Sequence, residues 1–143
     1  MLVFYTAMPS YLASRPLGNR MNSRLFALAA LFAGLAVVTG AFGAHALKAT
    51  LTPNMLSVWH TAVNYQMWHG LGLGLIALYS RPSAAWHWSA RLMIAGIVLF
   101  SGSLYLLVLT GFGWLGMITP LGGLAFIAAW GLLAYSAWRD HDS

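Results

Sequence analysis

Hydrophobic residues occur along the chain in long uncharged runs, separated by short segments that carry the basic residues. The first run covers residues 25–46, the second lies between Lys48 and Arg81, and the third covers residues 92–138. About 20 helical residues span a hydrocarbon core of about 30 Å, so the first run fits one crossing. The third run is too long for one helix and is interrupted at Gly111, so it fits two crossings.

Turn and capping residues set the predicted helix boundaries. Thr52 followed by Pro53 is typical of a helix start, because the hydroxyl caps free N–H groups and proline fits the first turn. We predict helices at about residues 24–47, 53–79, 89–109 and 118–138. The fold class is therefore an all-α membrane protein, a four-helix transmembrane bundle with up-down-up-down topology.

The chain divides into three parts around these helices: residues 1–23, 24–139 and 140–143. The central part is the predicted transmembrane domain, and the last is a predicted cytoplasmic tail. Two prolines and a glycine precede Met21, so the first part is predicted to be a disordered extension. Since Met21 resembles an ordinary start ahead of the first helix, we expect residues 1–20 to be disordered or absent from the natural product.

A secretory signal peptide is an alternative interpretation of the first apolar run. Arg24, the run itself and the small residues around His45 match the basic start, apolar core and cleavage site of such a peptide. The run is longer than the usual signal core of about 7–15 residues. This length favours a helix that is retained in the membrane.

The composition indicates that lipid is the main solvent of this chain. Hydrophobic residues make up 60% and charged residues 6%, whereas a soluble domain carries about 25% charged residues. The net charge of +5 does not indicate nucleic acid as a partner, because the basic residues lie singly at helix ends. Cysteine is absent, which excludes disulfides, thiolate catalysis and iron–sulfur ligation.

Lysine and arginine are distributed unequally between the two ends of the predicted bundle. One end receives only Lys48. The opposite end receives six arginines: Arg15, Arg20, Arg24, Arg81, Arg91 and Arg139. Cytoplasmic loops carry the excess of these residues. We therefore expect a multi-pass protein of the bacterial inner membrane with cytoplasmic N- and C-termini. Aromatic residues fit this orientation: Tyr79, Trp86, Trp88 and Trp138 at the inner interface, Trp59 and Trp114 at the outer one.

Polar side chains gather in the middle and outer half of the predicted bundle. The candidate polar cluster consists of His45, His60, Tyr65, Gln66, His69, Ser101, Ser103, Tyr105 and Thr119. Spacings of three and four residues place Tyr65, Gln66 and His69 on one helix face. Polar groups in lipid need partners, so we predict that the cluster faces the bundle interior. Ser101, Ser103 or Tyr105 should be among the nearest polar partners of Tyr65, Gln66 and His69.

Two interpretations of the candidate polar cluster remain open. We favour interhelical hydrogen bonding that holds the bundle together, because buried polar residues commonly serve packing. The alternative is a pocket for a small lipophilic ligand, either a quinone headgroup or haem held by paired histidines. No cofactor is identified by the sequence.

Acidic residues are confined to the C-terminus, at Asp140 and Asp142. The predicted helices therefore lack the carboxylate that proton-coupled transporters usually carry. They also lack the acid pair of glycosidases, the Ser-His-Asp triad and carboxylate ligands for a metal. We expect no enzymatic activity.

Small residues recur at four-residue spacing in three of the predicted helices. They are Ala36, Gly40 and Ala44, then Gly70 and Gly74, then Ala125 and Ala129. Such spacing lets helix backbones approach closely in lipid. Packing within one chain and packing between subunits both fit this pattern.

Four motifs, taken together, resemble one family. They are GAFGAHAL at residues 40–47, YQxxH at 65–69, LFSGSLY at 99–105 and ITPLGG at 118–123. The chain from Met21 to about Trp138 resembles the domain-of-unknown-function 423 family, small bacterial inner-membrane proteins related to the mitochondrial transmembrane protein 256. Asn64 and Ala129 depart from the family pattern, which puts any role of position 64 in doubt. The resemblance implies a four-helix membrane protein and supplies no established activity.

The sequence therefore favours a non-enzymatic inner-membrane protein that acts as an accessory or interaction subunit of a membrane complex. The alternative is a binder or carrier of a small lipophilic ligand, quinone or haem, in the outer half of the bundle. The expected partners are membrane lipid and either other membrane proteins or further copies of the chain. We expect no nucleic-acid partner.

Overall fold

The structure, a computed structural model, describes residues 21–79 and 81–141, and it is all-helical over these residues. The predictions for residues 1–20 and for the last two residues of the tail lie outside this part of the chain. Four long helices are formed: α1 Ser23–Leu47, α2 Pro53–Tyr79, α3 Ala84–Thr110 and α4 Thr119–His141. A short 3-10 helix, Gly113–Met117, precedes α4.

Side-chain caps fix the first residues of α1 and α3. Asn22 Oδ1 accepts a hydrogen bond from Leu25 N at 3.1 Å, so α1 begins at Ser23, inside the segment predicted to be disordered. Ser83 Oγ accepts from Trp86 N at 3.1 Å. The third helix therefore begins at Ala84 rather than near residue 89, because a serine cap satisfies the free N–H groups of a first turn.

Successive helices run in opposite directions, as hydrogen bonds at their ends show. Asn22 N at the start of α1 donates to Ala77 O near the end of α2 at 3.1 Å. Trp86 Nε1 at the start of α3 donates to Ile76 O at 2.9 Å. The hydroxyls of Ser83 and Ser136, at the start of α3 and the end of α4, are 3.2 Å apart. The helices therefore alternate up and down.

The bundle has two chemically different ends, which we name by their charges. The arginine end holds Arg24, Arg81, Arg91 and Arg139, and the lysine end holds Lys48. Among the described residues, α1, α3 and the segment Gly113–Arg139 are long and apolar enough to cross a membrane. Helix α2 has 27 residues, but the polar residues in its middle make it the least apolar of the four.

Leu73 and Ile76 of α2 and Met93 of α3 are fully buried at the centre of the bundle. Phe126 and Ala129 of α4 complete this core. Since all of these side chains are apolar, burial from lipid supplies no hydrophobic driving force, and close packing holds the helices together.

The small residues at four-residue spacing pack mainly within this one chain. Ala36 of α1 is completely buried. A Cβ at Gly40 would lie 3.3 Å from Val63 of α2, and one at Gly70 would lie 3.2 Å from the backbone nitrogen of Ala33. Helices α1 and α2 therefore approach closely along this face, whereas Ala44 is exposed.

Two short π-helical segments widen the helices locally. The last turn of α1, Gly43–Leu47, and the middle of α3, Ile97–Gly102, have this form. A Cβ at Gly43 would lie 2.5 Å from the Trp59 ring. The glycine therefore makes room for Trp59, which is 3% exposed.

Two tryptophans predicted at the membrane interfaces are instead buried. Trp59 and Trp86 are packed inside the bundle, where each indole N–H donates to a backbone carbonyl of a neighbouring helix. A buried indole nitrogen needs an acceptor, and these carbonyls supply it. Trp88, Trp114 and Trp138 are exposed, as interfacial residues should be.

Candidate functional site

Gln66 lies at the centre of the hydrogen-bond network that joins the first three helices. Its side chain is buried, and its Nε2 donates to the carbonyl of Phe32 in α1 at 2.9 Å. Its Oε1 accepts from the Tyr105 hydroxyl in α3 at 2.9 Å. One amide therefore links α2 to both of its neighbours, and Tyr105 is among the polar partners predicted from the sequence.

Thr39 and Trp59 extend this network toward the lysine end. The Thr39 hydroxyl lies 3.0 Å from the Tyr105 hydroxyl, and Trp59 Nε1 donates to the carbonyl of Thr39 at 2.9 Å. The rings of Trp59 and Tyr105 pack with centroids 4.7 Å apart. Neither residue belongs to the candidate polar cluster predicted from the sequence. Gly43, where the missing side chain leaves room for Trp59, was the available signal.

His69 faces the bundle interior but contacts aromatic rings rather than hydroxyl groups. Its Nδ1 donates to the carbonyl of Tyr65, one turn earlier in α2, at 2.8 Å, because a carbonyl can only accept. The imidazole stacks on Phe126 with centroids 3.4 Å apart. Tyr65 stacks on Phe100 in the same way, with centroids 4.2 Å apart. These stacks join α2 to α3 and α4.

The two serines of the cluster differ in their hydrogen bonding. Ser103 Oγ donates to Phe100 O at 3.0 Å and lies 2.9 Å from the hydroxyl of Thr119, which ties α3 to the start of α4. Ser101 is 1% exposed, and its Oγ is buried without a hydrogen-bond partner, alone among the described side chains. The π-helical backbone around Ser101 is the local feature that sets it apart.

His45 and His60 do not join the network, so the prediction that the whole cluster faces inward is wrong for them. Both side chains are exposed, as is that of Asn64. Both histidines lie toward the lysine end of the bundle.

Haem ligation by paired histidines finds no support in this arrangement. His60 and His69 are separated by two and a half turns of α2, about 13 Å along its axis, and therefore lie on opposite faces. Among the described residues, no group of three or more histidines and acids could hold a metal ion. The cluster therefore offers hydrogen bonds and ring stacking rather than a ligand set.

A groove of about 430 Å³ opens on α3 at the lysine half of the bundle. Apolar side chains line it, together with Ser103 and Tyr105. The hydroxyls of these two residues already bond to Thr119 and Gln66. The polar groups beside the groove are therefore engaged within the chain.

Comparisons with known proteins agree with a membrane protein of this size. A family model described as "Protein of unknown function (DUF423)" matches residues 39–123. A UPF0382 membrane protein of Staphylococcus haemolyticus is 50% identical over 113 residues, which cover 78% of this chain and 93% of the relative. The UPF0382 membrane protein YwdK of Bacillus subtilis is 48% identical over 118 residues, 77% of this chain and 92% of the relative. No solved structure matches.

Proposed function

Because the chain belongs to the DUF423 family and is an integral membrane protein like its UPF0382 relatives, we propose that it is an accessory or interaction subunit of a membrane complex. Its activity is helix–helix contact with a partner rather than catalysis. Two features support this proposal: a polar network whose bonds are made within the chain, and an open face of small residues on α1.

The open face of α1 carries the proposal. Ala27, Ala30, Gly34 and Ala41 are all exposed. They lie on the side of α1 opposite Ala29 and Ala36, the buried residues that face the rest of the bundle. In the most apolar stretch of α1 only 11% of the residues are buried within the chain. Small residues in such a stripe allow a second transmembrane helix to approach closely.

Gly34 has no role in the packing of the described helices against one another. A Cβ built there meets nothing within 4 Å, whereas Gly40 and Gly70 are needed for the contact of α1 with α2. A glycine in a helix costs about 1 kcal/mol relative to alanine. Close packing of a partner helix in the space that a side chain would fill offsets this cost. We propose that such a helix packs on Gly34.

In this proposal all four helices cross the bacterial inner membrane, and both termini lie in the cytoplasm. Helix α2 has the length for a crossing, and its polar residues Gln66 and His69 are buried. Neighbouring helices therefore screen its most polar groups from lipid, which lowers the cost of placing it in the membrane. The arginine end is the cytoplasmic end by the positive-inside rule.

The test is a comparison of Gly34→Leu with Leu35→Phe. Both changes add bulk to an exposed position of α1, but only the first falls on the small-residue face. Each variant is tagged, expressed in the native host, cross-linked and purified in mild detergent, and the proteins bound to it are identified by mass spectrometry. We expect Gly34→Leu to lose a partner that the wild type and Leu35→Phe retain.

The outcomes of this comparison are distinguishable. Gly34→Leu should melt at or above the wild-type temperature, because the position is exposed and a Cβ there meets no described atom within 4 Å. A partner lost without a lower melting temperature is therefore not lost through unfolding. A lost partner that is a second copy of the chain assigns the face to a homo-oligomer. Identical partners for all three proteins, or none for any of them, contradict the proposal.

A second candidate function, binding of a small lipophilic molecule such as a quinone, is favoured by the unpartnered Ser101 hydroxyl. A buried hydroxyl without a partner costs about 1–3 kcal/mol, and a carbonyl oxygen of a ligand would satisfy it. Extraction of the purified protein with organic solvent, followed by mass spectrometry, tests this. A stoichiometric ligand that Ser101→Ala loses would support the second function.

A further inference from the structure

A groove at the arginine end, lined by basic and apolar side chains, has the chemistry of a phospholipid site. It lies between the N-terminal parts of α1 and α3 and has a volume of about 350 Å³. Arg24 and Arg91 line the groove, together with the apolar residues Leu25, Leu28 and Ile94. We propose that it binds one anionic phospholipid, with the phosphate at the two arginines and an acyl chain along the leucines and Ile94.

Charge complementarity identifies this occupant. Residues 1–139 contain no acidic side chain, so neither groove arginine has a carboxylate partner within that stretch. Both arginines are exposed. Two guanidinium groups beside one groove favour an anion there, and guanidinium binds a phosphate with paired hydrogen bonds.

The aromatic residues beside the groove fit a position at the membrane interface. The guanidinium of Arg91 lies over the Trp88 ring, 5.3 Å from its centroid, and Trp88 is exposed. Exposed tryptophans are typical of the headgroup level. The stack limits the freedom of Arg91 and therefore reduces the entropy lost when it binds a headgroup. Basic pockets between helices at this level are a recognised form of headgroup site.

The apolar surface of the groove distinguishes a lipid from a free anion. Leu25, Leu28 and Ile94 lie further from the arginine end along α1 and α3 than the arginines do. A phosphate at the arginines would therefore leave them uncovered, whereas a phospholipid would cover them with its acyl chain. The segment that precedes α1 cannot supply the anion, because residues 1–20 contain no acid.

The experiment measures lipid selectivity of the purified full-length protein. Phosphatidylglycerol and phosphatidylcholine are titrated separately into the protein in mild detergent, and the bound lipids are counted by native mass spectrometry. We expect the wild type to retain phosphatidylglycerol preferentially. The double variant Arg24→Gln/Arg91→Gln should weaken its binding roughly 25-fold, about fivefold for each arginine.

Two further variants separate the groove from the general charge of this end. Arg81→Gln/Arg139→Gln removes the same charge outside the groove and should weaken binding less than about twofold. Ile94→Phe keeps every charge but narrows the groove, and it should also weaken phosphatidylglycerol binding. Since all four arginines are exposed, circular dichroism and melting should show both charge variants to be folded.

Several results would overturn the assignment. Equal losses from the two arginine pairs would show diffuse surface electrostatics instead of a site. Binding of inorganic phosphate alone, with the same dependence on Arg24 and Arg91, would show a site for a free anion. A preference for phosphatidylglycerol that appears only in the double variant Asp140→Asn/Asp142→Asn would show that the chain's own carboxylates occupy the groove. The proposal does not depend on the partner assigned to α1, because Gly34 lies outside the groove.

Discussion

The imidazole of His69 lies nearly flat against the ring of Phe126, with centroids 3.4 Å apart and planes inclined by 14°. This contact joins the middle of α2 to α4, two helices that are not adjacent in the sequence. His69 is 7% exposed, so its ring fills space in the interior and makes its hydrogen bond through Nδ1. It therefore acts as a packing residue, and its own helix supplies the acceptor for its hydrogen bond.

We predict that His69→Ala destabilises the protein by about 2 kcal/mol, because it leaves a cavity between α2 and α4. Thermal unfolding in detergent measures the change as a lower melting temperature. His60→Ala is the matched control on the same helix, and its exposed side chain predicts almost no shift. A His69→Ala variant that melts normally but loses a bound chromophore or quinone would favour the ligand-binding interpretation instead.

The hydrogen bond between Gln66 and Tyr105 should show a measurable coupling energy. Interhelical hydrogen bonds in membrane proteins contribute about 0.6 kcal/mol on average and at most about 1.7 kcal/mol. We expect Gln66→Met, Tyr105→Phe and the double variant to give a coupling energy near the upper part of that range. The reason is that each single change leaves the other side chain without its partner in this hydrogen bond. Unfolding free energies in mixed micelles provide the measurement.

The control for this double-mutant cycle combines Gln66→Met with Ser89→Ala. Ser89 donates to the carbonyl of Ala129 at 2.8 Å and shares no partner with Gln66. The two changes should therefore be additive. Additivity of Gln66→Met with Tyr105→Phe as well would mean that their hydrogen bond contributes nothing to stability.

Two glycines of α4 should respond in opposite ways to alanine. A Cβ at Gly122 would run into the backbone of Phe100 in α3, whereas one at Gly131 meets nothing within 4 Å. We predict that Gly122→Ala destabilises the protein by about 3 kcal/mol through overpacking against backbone. Gly131→Ala should stabilise it by up to about 1 kcal/mol through helix propensity. Melting temperatures that shift in the same direction would contradict the packing of α3 on α4.

The membrane topology can be measured with reporter fusions. A reporter active only in the cytoplasm, fused to the C-terminus, should be active, since the sequence pattern assigns six of the seven lysine and arginine residues to that side. A reporter active only outside should be active when inserted near Thr52, in the loop at the lysine end. A silent C-terminal cytoplasmic reporter would contradict four crossings with cytoplasmic termini.

Local chemistry determined what could be predicted from the amino-acid sequence. In lipid every backbone polar group must bond within its own helix, so uncharged runs of sufficient length specify helices before any contact is made. The cap at Thr52 and the prolines at positions 53 and 120 mark starts that the structure also uses, to within a residue. The start of α3 was predicted about five residues too late, because Pro82 and Ser83 are also typical turn residues.

Tertiary structure decided which partner each buried group contacts. Spacing placed Gln66 and His69 on one face, but only the packed helices show that Gln66 bonds to Tyr105 while His69 stacks on Phe126. Likewise, Gly34 and Gly40 look alike in sequence, yet one faces outward and the other meets Val63. Helix rotation and crossing are set by many weak contacts between distant residues, and a local sequence pattern does not contain that information.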